Sequence, residues 1–205
     1  EKKAVETTPE QSSKIEQKEE AKNLKDAFKK DFKVGVAINP YQLKDEETKK
    51  IILENFNSIT MENEMKPDAI LGSSAKLISV ADAKKKGYYI PAGYTESTVP
   101  ELAFTTVDKS LEAAKNNGLK MRAHTLVWHS QTPSWFFTKN YDGSKVVTPA
   151  VMDARLDFYI HNVMGHVMDK EKALTGSAGS IVYAWDVVNE YLHRPSFAFF
   201  KTWTS

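Results

Sequence analysis

The sequence predicts an α/β fold in which parallel strands alternate with helices. Short β-branched runs alternate along the chain with segments of three- and four-residue apolar spacing, the order typical of parallel sheets. Residues 181–188 form a nearly continuous apolar run, which favours a strand buried on both faces of such a sheet. Polar side chains gather where the predicted strands end. The length of 205 residues suits one domain.

The first part of the body is predicted to contain two strands and the helix between them. Residues 32–38, with the sequence FKVGVAI, form a β-branched stretch typical of a strand. Asp45 is a suitable N-cap for a helix that runs to about Asn55, because its side chain can accept a backbone N–H of the first turn. Residues 58–61 predict a second short strand. The long connection over residues 67–100 then follows, and connections of that length are usually functional or disordered.

The second part adds two helices and a strand. Apolar spacing predicts a helix over residues 99–117, followed by Gly118 at a position where helix ends favour glycine. Residues 119–126 predict the third strand. Thr148 and Pro149 have the residue types of an N-cap and a first helical position, so a long helix is expected to begin there. Its apolar stripe comprises Met152, Leu156, Tyr159, Ile160, Val163 and Val167.

The amino terminus differs from the rest of the chain. Residues 1–23 are rich in Lys and Glu and have almost no large apolar side chains. Such a segment cannot bury enough surface to offset the entropy lost on ordering. We therefore expect a disordered charged tail over residues 1–23 and the folded domain over residues 24–205. Residues 24–28 are expected to begin a short helix that docks on the domain.

Composition excludes several classes of function. The 28 Lys and Arg nearly balance the 27 Asp and Glu, so no nucleic-acid partner is expected. No apolar run reaches about 18 residues, so no membrane span is expected. Cysteine is absent, and His124 and His129 do not form a zinc-binding pattern, so neither thiol chemistry nor a metal is expected. Phosphate-binding glycine loops and the GxSxG motif are also absent.

Polar side chains follow three successive predicted strands. The second strand runs into Glu62, Asn63 and Lys66; the third contains His124 and runs into Trp128, His129 and Gln131; the fourth contains Asp186 and ends in Asn189 and Glu190. Because the carboxyl ends of parallel strands lie on one face, where active sites form, these groups are expected to meet. Glycoside hydrolysis requires two carboxylates beside the scissile bond, and Glu190 is a candidate for one.

Each of these side chains also has a purely structural interpretation. Glu62 and Lys66 have the spacing of a surface helix pair. An isolated His124 would more often be a hydrogen-bonded core histidine, and Trp128 would be a core aromatic residue. Asp186 could pair within the interior. It is the coincidence of three polar strand ends, rather than any one residue, that favours a functional site.

Four stretches in order resemble glycoside hydrolase family 10, the endo-1,4-β-xylanases. They are FKVGVAI, ITMENEMKPDAI, KMRAHTLVWHSQTPSW and VYAWDVVNE. The resemblance covers about residues 28–194, with a nonstandard segment over residues 71–101. It implies a (β/α)8 TIM barrel, of which this chain supplies about the first four βα units. It also implies endo-acting, retaining cleavage of β-1,4-xylosidic bonds in xylan without a cofactor.

The resemblance assigns roles to the polar residues at the strand ends. It implies that Glu190 is the general acid/base and that Asn189 contacts the sugar at the cleavage point. The positions implied to bind the glycone side of the substrate are Glu62, Asn63, Lys66, His124, Trp128 and Gln131. The expected ligands are xylan and xylo-oligosaccharides, and the expected location is secreted or at the surface of a bacterial cell.

The chain is expected to form only the amino-terminal half of the enzyme. A complete barrel needs about 250 residues, and only four strands are visible. The family's nucleophile is a glutamate on the seventh strand, so a C-terminal half or a second polypeptide is expected to supply it. One alternative is a non-catalytic half-barrel that binds xylan oligosaccharides. Another is a cellulase-like retaining glycosidase with the same Asn-Glu pair, against which the stretch HTLVWHSQ argues.

Overall fold

The computed structural model describes residues 21–192. Its helices and strands, in chain order, are α1 (Leu24–Ala27), β1 (Gly35–Ile38), α2 (Glu46–Asn55), β2 (Ser58–Met61), α3 (Pro67–Leu71), β3 (Leu77–Ser79), α4 (Val80–Lys85), β4 (Thr98–Pro100), α5 (Thr105–Asn116), β5 (Lys120–Trp128), two 3₁₀ turns (Ser134–Phe137 and Lys139–Tyr141), α6 (Pro149–Thr175) and β6 (Val182–Asn189). Residues 1–20 of the tail predicted over residues 1–23, and residues 193–205 at the end of the predicted domain, lie outside the described residues. The domain boundary at residue 23 stays a prediction.

A four-stranded parallel sheet organises the described part of the chain. Its strands lie in the order β1, β2, β5, β6, and every neighbouring pair is parallel. This confirms the predicted alternation of helices with parallel strands. Their carboxyl ends therefore share one side of the sheet, and the loops that follow β1, β2, β5 and β6 extend from that side.

Local sequence signals explain where several helices begin and end. The Asp45 carboxylate accepts the N–H of Thr48 at 2.8 Å and caps α2 as predicted. Thr148 precedes Pro149 at the start of α6. Gly118 follows α5 with a φ of +65°, which glycine adopts without steric cost. The short helix α1 lies against α2, where Lys25 Nζ donates to the Leu53 carbonyl at 2.5 Å.

The helix predicted over residues 99–117 was wrong in its first part. Thr98–Pro100 is instead strand β4, which pairs antiparallel with β3, and α5 begins only at Thr105. Val99 and Leu102 are buried, as apolar residues on the core-facing side of a helix would be. Between β4 and α5 the chain is irregular, and the Ala103 N–H donates to the Ile70 carbonyl at 2.8 Å rather than within a helix. Short apolar segments cannot be assigned to helix or strand from spacing alone.

The long connection after β2 is anchored on α6. Arg155 is fully buried in α6, and its guanidinium binds both oxygens of Glu96 at 2.7 and 2.5 Å. Asn162, also in α6, exchanges two hydrogen bonds of 2.9 Å with the backbone of Tyr89. The predicted apolar stripe of α6 faces the same core: Met152, Tyr159, Val163 and Val167 are buried, and Leu156 and Ile160 are half-buried. The connection is thus a packed part of the domain.

Strand β6 differs from its predicted environment. Its apolar run was expected to be buried on both faces, but Tyr183, Val187 and Val188 are 44%, 52% and 49% exposed. The reason is that β6 is the last strand of the sheet order and pairs only with β5 among the residues that the structure describes. Its outer edge and part of its faces are therefore open.

Candidate active site

A cavity of about 520 Å³ opens at the carboxyl side of the parallel sheet. Each of the four strands, or the residue that directly follows it, contributes to the wall, which consists of Ala37, Thr60, Met61, Glu62, Asn63, Lys66, Arg122, His124, Asp186 and Asn189. Five of the eight predicted site residues therefore line one cavity: Glu62, Asn63, Lys66, His124 and Asn189. The wall is rich in charged and amide groups that can bind hydroxyl groups.

Gln131 does not line the cavity but is hydrogen-bonded to two residues that do. Lys66 Nζ donates to Gln131 Oε1 at 2.7 Å, and Gln131 Nε2 donates to Asn63 Oδ1 at 3.2 Å. Lys66 Nζ also lies 3.5 Å from Asn63 Oδ1. Gln131 has a positive φ of 48°, which turns the loop after β5 back toward the start of α3. These contacts connect the end of β2 with the loop after β5.

His124 is held by a carboxylate rather than by the hydrophobic core. Its Nδ1 lies 2.9 Å from Asp186 Oδ2, on the neighbouring strand. Because an ionised carboxylate only accepts hydrogen bonds, Nδ1 carries the proton in this pair. Asp186 Oδ1 is bound by Arg122 at 2.5 Å. Asp186 thus pairs at the cavity wall rather than inside the core, with a half-exposed Arg122 on one side and His124 on the other.

Glu190 directly follows β6 and is joined to Trp128. The indole Nε1–H of Trp128 donates to Glu190 Oε2 at 3.0 Å, and His129 Nε2 lies 3.5 Å from the same oxygen. The Glu190 side chain is 46% exposed. Its φ of 53° is uncommon for a residue other than glycine, and such conformations are concentrated at functional sites. Trp128 also contacts Lys66, whose Nζ lies 4.9 Å from the indole ring centre.

The eight predicted residues are thereby connected, although they do not all line the cavity. Gln131 is hydrogen-bonded to Lys66. Trp128 is hydrogen-bonded to Glu190, and its ring contacts Lys66. Sequence reasoning missed Arg122 and gave His129 no role. Arg122 stands two residues before His124 on β5, and the two-residue period of a strand places both on the same face. That spacing was an available signal.

Two kinds of structural feature are absent from the described residues. Between residues 21 and 192, no group of three or more His, Asp and Glu side chains is arranged to hold a metal ion. In the same range, no helix has the length and apolar character needed to cross a bilayer.

Known proteins resemble this chain in both sequence and structure. The curated endo-1,4-beta-xylanase A of Butyrivibrio fibrisolvens is 49% identical over 161 residues, which are 78% of this chain and 38% of that protein. The endo-1,4-beta-xylanase A of Thermotoga maritima is 37% identical over 90% of this chain and 14% of its own length. This chain thus spans well under half of either relative.

Solved structures agree with the sequence matches. The CBM22-1–GH10 modules of Clostridium thermocellum endo-1,4-beta-D-xylanase 10B, complexed with xylohexaose, superpose with a TM-score of 0.59 at 34% identity, over 80% of this chain and 27% of that one. An intracellular xylanase of Thermoanaerobacterium saccharolyticum, a mutant in complex with xylotetraose, gives a TM-score of 0.60 at 30% identity, over 82% of this chain and 43% of that one.

The family assignment rests on a match over most of the chain. The sequence profile of Glycosyl hydrolase family 10 matches residues 23–203. This confirms the resemblance seen in the four sequence stretches. It also confirms the predicted fold class, since the four parallel strands and their helices are about four βα units of a (β/α)8 barrel. The chain belongs to glycosyl hydrolase family 10.

Proposed function

We propose that this chain forms the glycone-binding and acid/base part of an endo-acting, retaining xylanase that cleaves β-1,4-xylosidic bonds in xylan. The observation that carries the proposal is the Trp128–Glu190 hydrogen bond beside a cavity lined by polar side chains. The relatives described above are endo-1,4-beta-xylanases, and one of them is 49% identical to this chain. Their names support the same reaction.

Glu190 is proposed as the general acid/base. Its Oε2 accepts the Trp128 N–H at 3.0 Å, which leaves Oε1 available to deliver a proton to the leaving oxygen. The same carboxylate then removes a proton from the attacking water in the second step of a retaining mechanism. Asn189, in the cavity wall next to Glu190, is proposed to hold a hydroxyl of the sugar at the cleavage point.

The remaining residues are proposed to bind xylan and xylo-oligosaccharides. Glu62, Asn63, Lys66 and His124 present charged and polar groups in the cavity wall, which suits the directed hydrogen bonds of sugar hydroxyls. Trp128 offers an aromatic face to an apolar face of a xylose ring. Gln131 supports this set through its hydrogen bonds to Lys66 and Asn63.

A retaining mechanism needs a second carboxylate about 5–5.5 Å from the first. We propose that a C-terminal half, or a partner chain, supplies this nucleophile as a glutamate together with the remaining barrel strands. The open edge of β6, with Tyr183, Val187 and Val188 exposed, supports the addition of a further strand at that edge. Mass spectrometry of the natively purified protein tests the partner: a second stoichiometric polypeptide supports it, and a single polypeptide without the nucleophile contradicts it.

We further propose that the protein is secreted or lies at the cell surface. The proposed substrate, polymeric xylan, is too large to cross a membrane, so a chain that acts on the intact polymer meets it outside the cell. Fractionation of the source bacterium, followed by immunodetection, tests this location. Detection in the cytoplasm alone contradicts it.

The acid/base role is tested with Glu190→Gln in the full-length polypeptide, by which we mean this chain together with the proposed C-terminal half or partner chain. The amide cannot donate an acidic proton, so kcat on xylan is expected to fall at least about a hundredfold, while xylotetraose binding is retained. An aryl xyloside with a good leaving group should lose much less activity in its first step. The matched control is Glu54→Gln on the exposed surface of α2, which should leave kcat unchanged. Near-normal turnover of xylan by Glu190→Gln contradicts the assignment.

The alternative of a non-catalytic, sugar-binding protein is favoured by one observation. Asp186, a carboxylate in the cavity wall, is held by Arg122 and His124 and is therefore poorly suited to attack a sugar. Calorimetry with xylotetraose, followed by product analysis, separates the two functions. Binding without any cleavage by the full-length polypeptide favours the alternative. Parallel assays on xylan and cellulose distinguish a xylanase from a cellulase-like enzyme.

A further inference from the structure

Asp68 lies next to the cavity but does not form part of its wall. It is the second residue of α3, two positions after Lys66, and it is half-buried. Sequence reasoning assigned it no role. Its side chain is hydrogen-bonded to Gln131, in the loop after β5, 63 residues further along the chain.

Asp68 holds Gln131 at two points. The backbone N–H of Asp68 donates to the Gln131 carbonyl at 2.8 Å. The Asp68 carboxylate accepts a hydrogen bond from Gln131 Nε2, with Oδ2 and Nε2 3.3 Å apart. The first contact holds the backbone of Gln131 near α3, and the second restrains its side chain. Together they keep a residue with a positive φ in one conformation.

The Asp68 contact determines which way the Gln131 amide faces. A glutamine amide has an oxygen that accepts and a nitrogen that donates two hydrogen bonds. An ionised carboxylate only accepts, and a lysine ammonium only donates. With Asp68 on one side and Lys66 on the other, Nε2 must face Asp68 and Oε1 must face Lys66, as observed. A flipped amide would lose both contacts and oppose like partial charges.

The orientation of Gln131 in turn affects Asn63. The second N–H of Gln131 Nε2 donates to Asn63 Oδ1 at 3.2 Å, and Lys66 Nζ lies 3.5 Å from the same oxygen. Because the Asn63 oxygen is used in these contacts, its Nδ2 donors are left for the cavity that Asn63 lines. Lys66 has three N–H groups, so at least one is likewise left for a ligand.

We propose that Asp68 is a positioning residue which, through Gln131, makes Asn63 and Lys66 present N–H donors to the hydroxyl oxygens of a xylose ring. This inference rests on the proposed function of the same cavity. It changes the role expected for Gln131, whose two donors are engaged by Asp68 and Asn63 rather than by the sugar. Sugar hydroxyls at this position act as hydrogen-bond acceptors.

The test compares two variants of nearly equal size in the full-length polypeptide. Asp68→Asn keeps an acceptor for Gln131 Nε2, whereas Asp68→Leu removes it, and both keep the backbone N–H. Asp68→Leu is expected to weaken xylotetraose binding about five- to tenfold. KM on xylan should rise by a similar factor with kcat changed less than about twofold. Asp68→Asn is expected to restore binding to within about twofold of wild type.

Two further measurements separate positioning from a merely structural role. Thermal unfolding is followed for each variant, and Asp68→Ala replaces Asp68→Leu if the latter does not fold. The side-chain amide NMR signals of Gln131 and Asn63 are expected to shift in Asp68→Leu and to return toward wild-type positions in Asp68→Asn. A purely structural residue would not move both amide signals while kcat is kept.

The outcomes distinguish failure of the inference from failure of the proposed function. If Asp68→Leu binds like wild type while Gln131→Leu binds weakly, Asp68 is not a positioning residue and the proposed function stands. Equal losses of xylotetraose affinity in Asp68→Asn and Asp68→Leu also overturn the inference, because a hydrogen-bond acceptor at position 68 would then not be sufficient to position Gln131. If the wild-type protein neither binds xylotetraose nor cleaves xylan, the proposed function fails and the inference fails with it.

Discussion

Trp128 connects the proposed catalytic and binding groups. Its Nε1–H donates to Glu190 at 3.0 Å, while its ring lies 4.9 Å from Lys66 Nζ. Tryptophan offers both a ring face and an N–H donor for a carboxylate. Replacement by phenylalanine, which has no donor, would therefore keep an aromatic ring and remove the hydrogen bond.

We predict that Trp128→Phe lowers kcat on xylan about tenfold and raises KM much less. The lost hydrogen bond leaves the Glu190 carboxyl less firmly held, and a tenfold change corresponds to about 1.4 kcal/mol, within the range of an ordinary hydrogen bond. Steady-state kinetics on xylan and xylotetraose provide the measurement. The control is Trp135→Phe, which removes an indole donor that binds the Gly72 carbonyl and not Glu190. The folded fraction of this variant should retain the wild-type kcat. An unchanged kcat in Trp128→Phe would show that the indole donor is dispensable.

Among the secondary-structure elements, β6 bears the residues closest to the proposed chemistry, and a buried carboxylate in α6 holds its start. Glu171 is 1% exposed and accepts three backbone N–H groups, from Gly179, Ile181 and Val182, at 2.6, 2.7 and 2.6 Å. The bonds tie the turn before β6 to the last part of α6. They fix the entry of the strand that ends at Asn189.

We predict that Glu171→Gln lowers the free energy of unfolding by about 2–3 kcal/mol, because the amide nitrogen cannot accept and faces backbone donors. Urea unfolding followed by circular dichroism measures the change. Glu112→Gln is the matched control, since its carboxylate pairs with Lys170 at 2.6 Å at a partly exposed position and should contribute less than about 1 kcal/mol. Equal stabilities of the two variants would contradict the proposed importance of the buried contacts.

For the whole molecule, the contact between Tyr94, in the long connection, and Tyr141, in the second 3₁₀ turn, links stability to pH. The hydroxyls of Tyr94 and Tyr141 contact each other in the interior. Burial raises the pKa of Tyr94 from 10.0 to about 12, and burial raises the pKa of Tyr141 as well. The folded protein therefore keeps these protons at a pH where the unfolded chain releases them. Stability contributed by the neutral phenols is complete below about pH 10 and is lost as the pH rises through the folded-state pKa.

We predict that the free energy of unfolding falls as the pH rises from 10.0 toward about 12. Urea unfolding at a series of alkaline pH values, together with the phenolate absorbance of the folded protein, measures the effect. Tyr94→Phe should reduce the slope. Tyr41→Phe should not, because Tyr41 is 77% exposed. A slope that is unchanged in Tyr94→Phe would assign the alkaline sensitivity to other groups.

Much of the fold was accessible from local sequence patterns. The cap at Asp45, the turn at Gly118 and the helix start at Thr148 and Pro149 act within one helical turn, so their residue types are sufficient to predict them. The parallel sheet followed from the alternation of elements, and the polar cluster followed from the rule that parallel strands end on one side.

The contacts that define the site depend on chain segments far apart in sequence. His124 and Asp186 are 62 residues apart, as are Trp128 and Glu190, and no local pattern indicates which donor meets which acceptor. The strand at Thr98–Pro100 and the open edge of β6 were likewise outside the reach of apolar spacing, because pairing and burial depend on the neighbouring strand. Residue types along the chain thus supplied the groups proposed for the site, and packing of distant segments determined which of them contact each other.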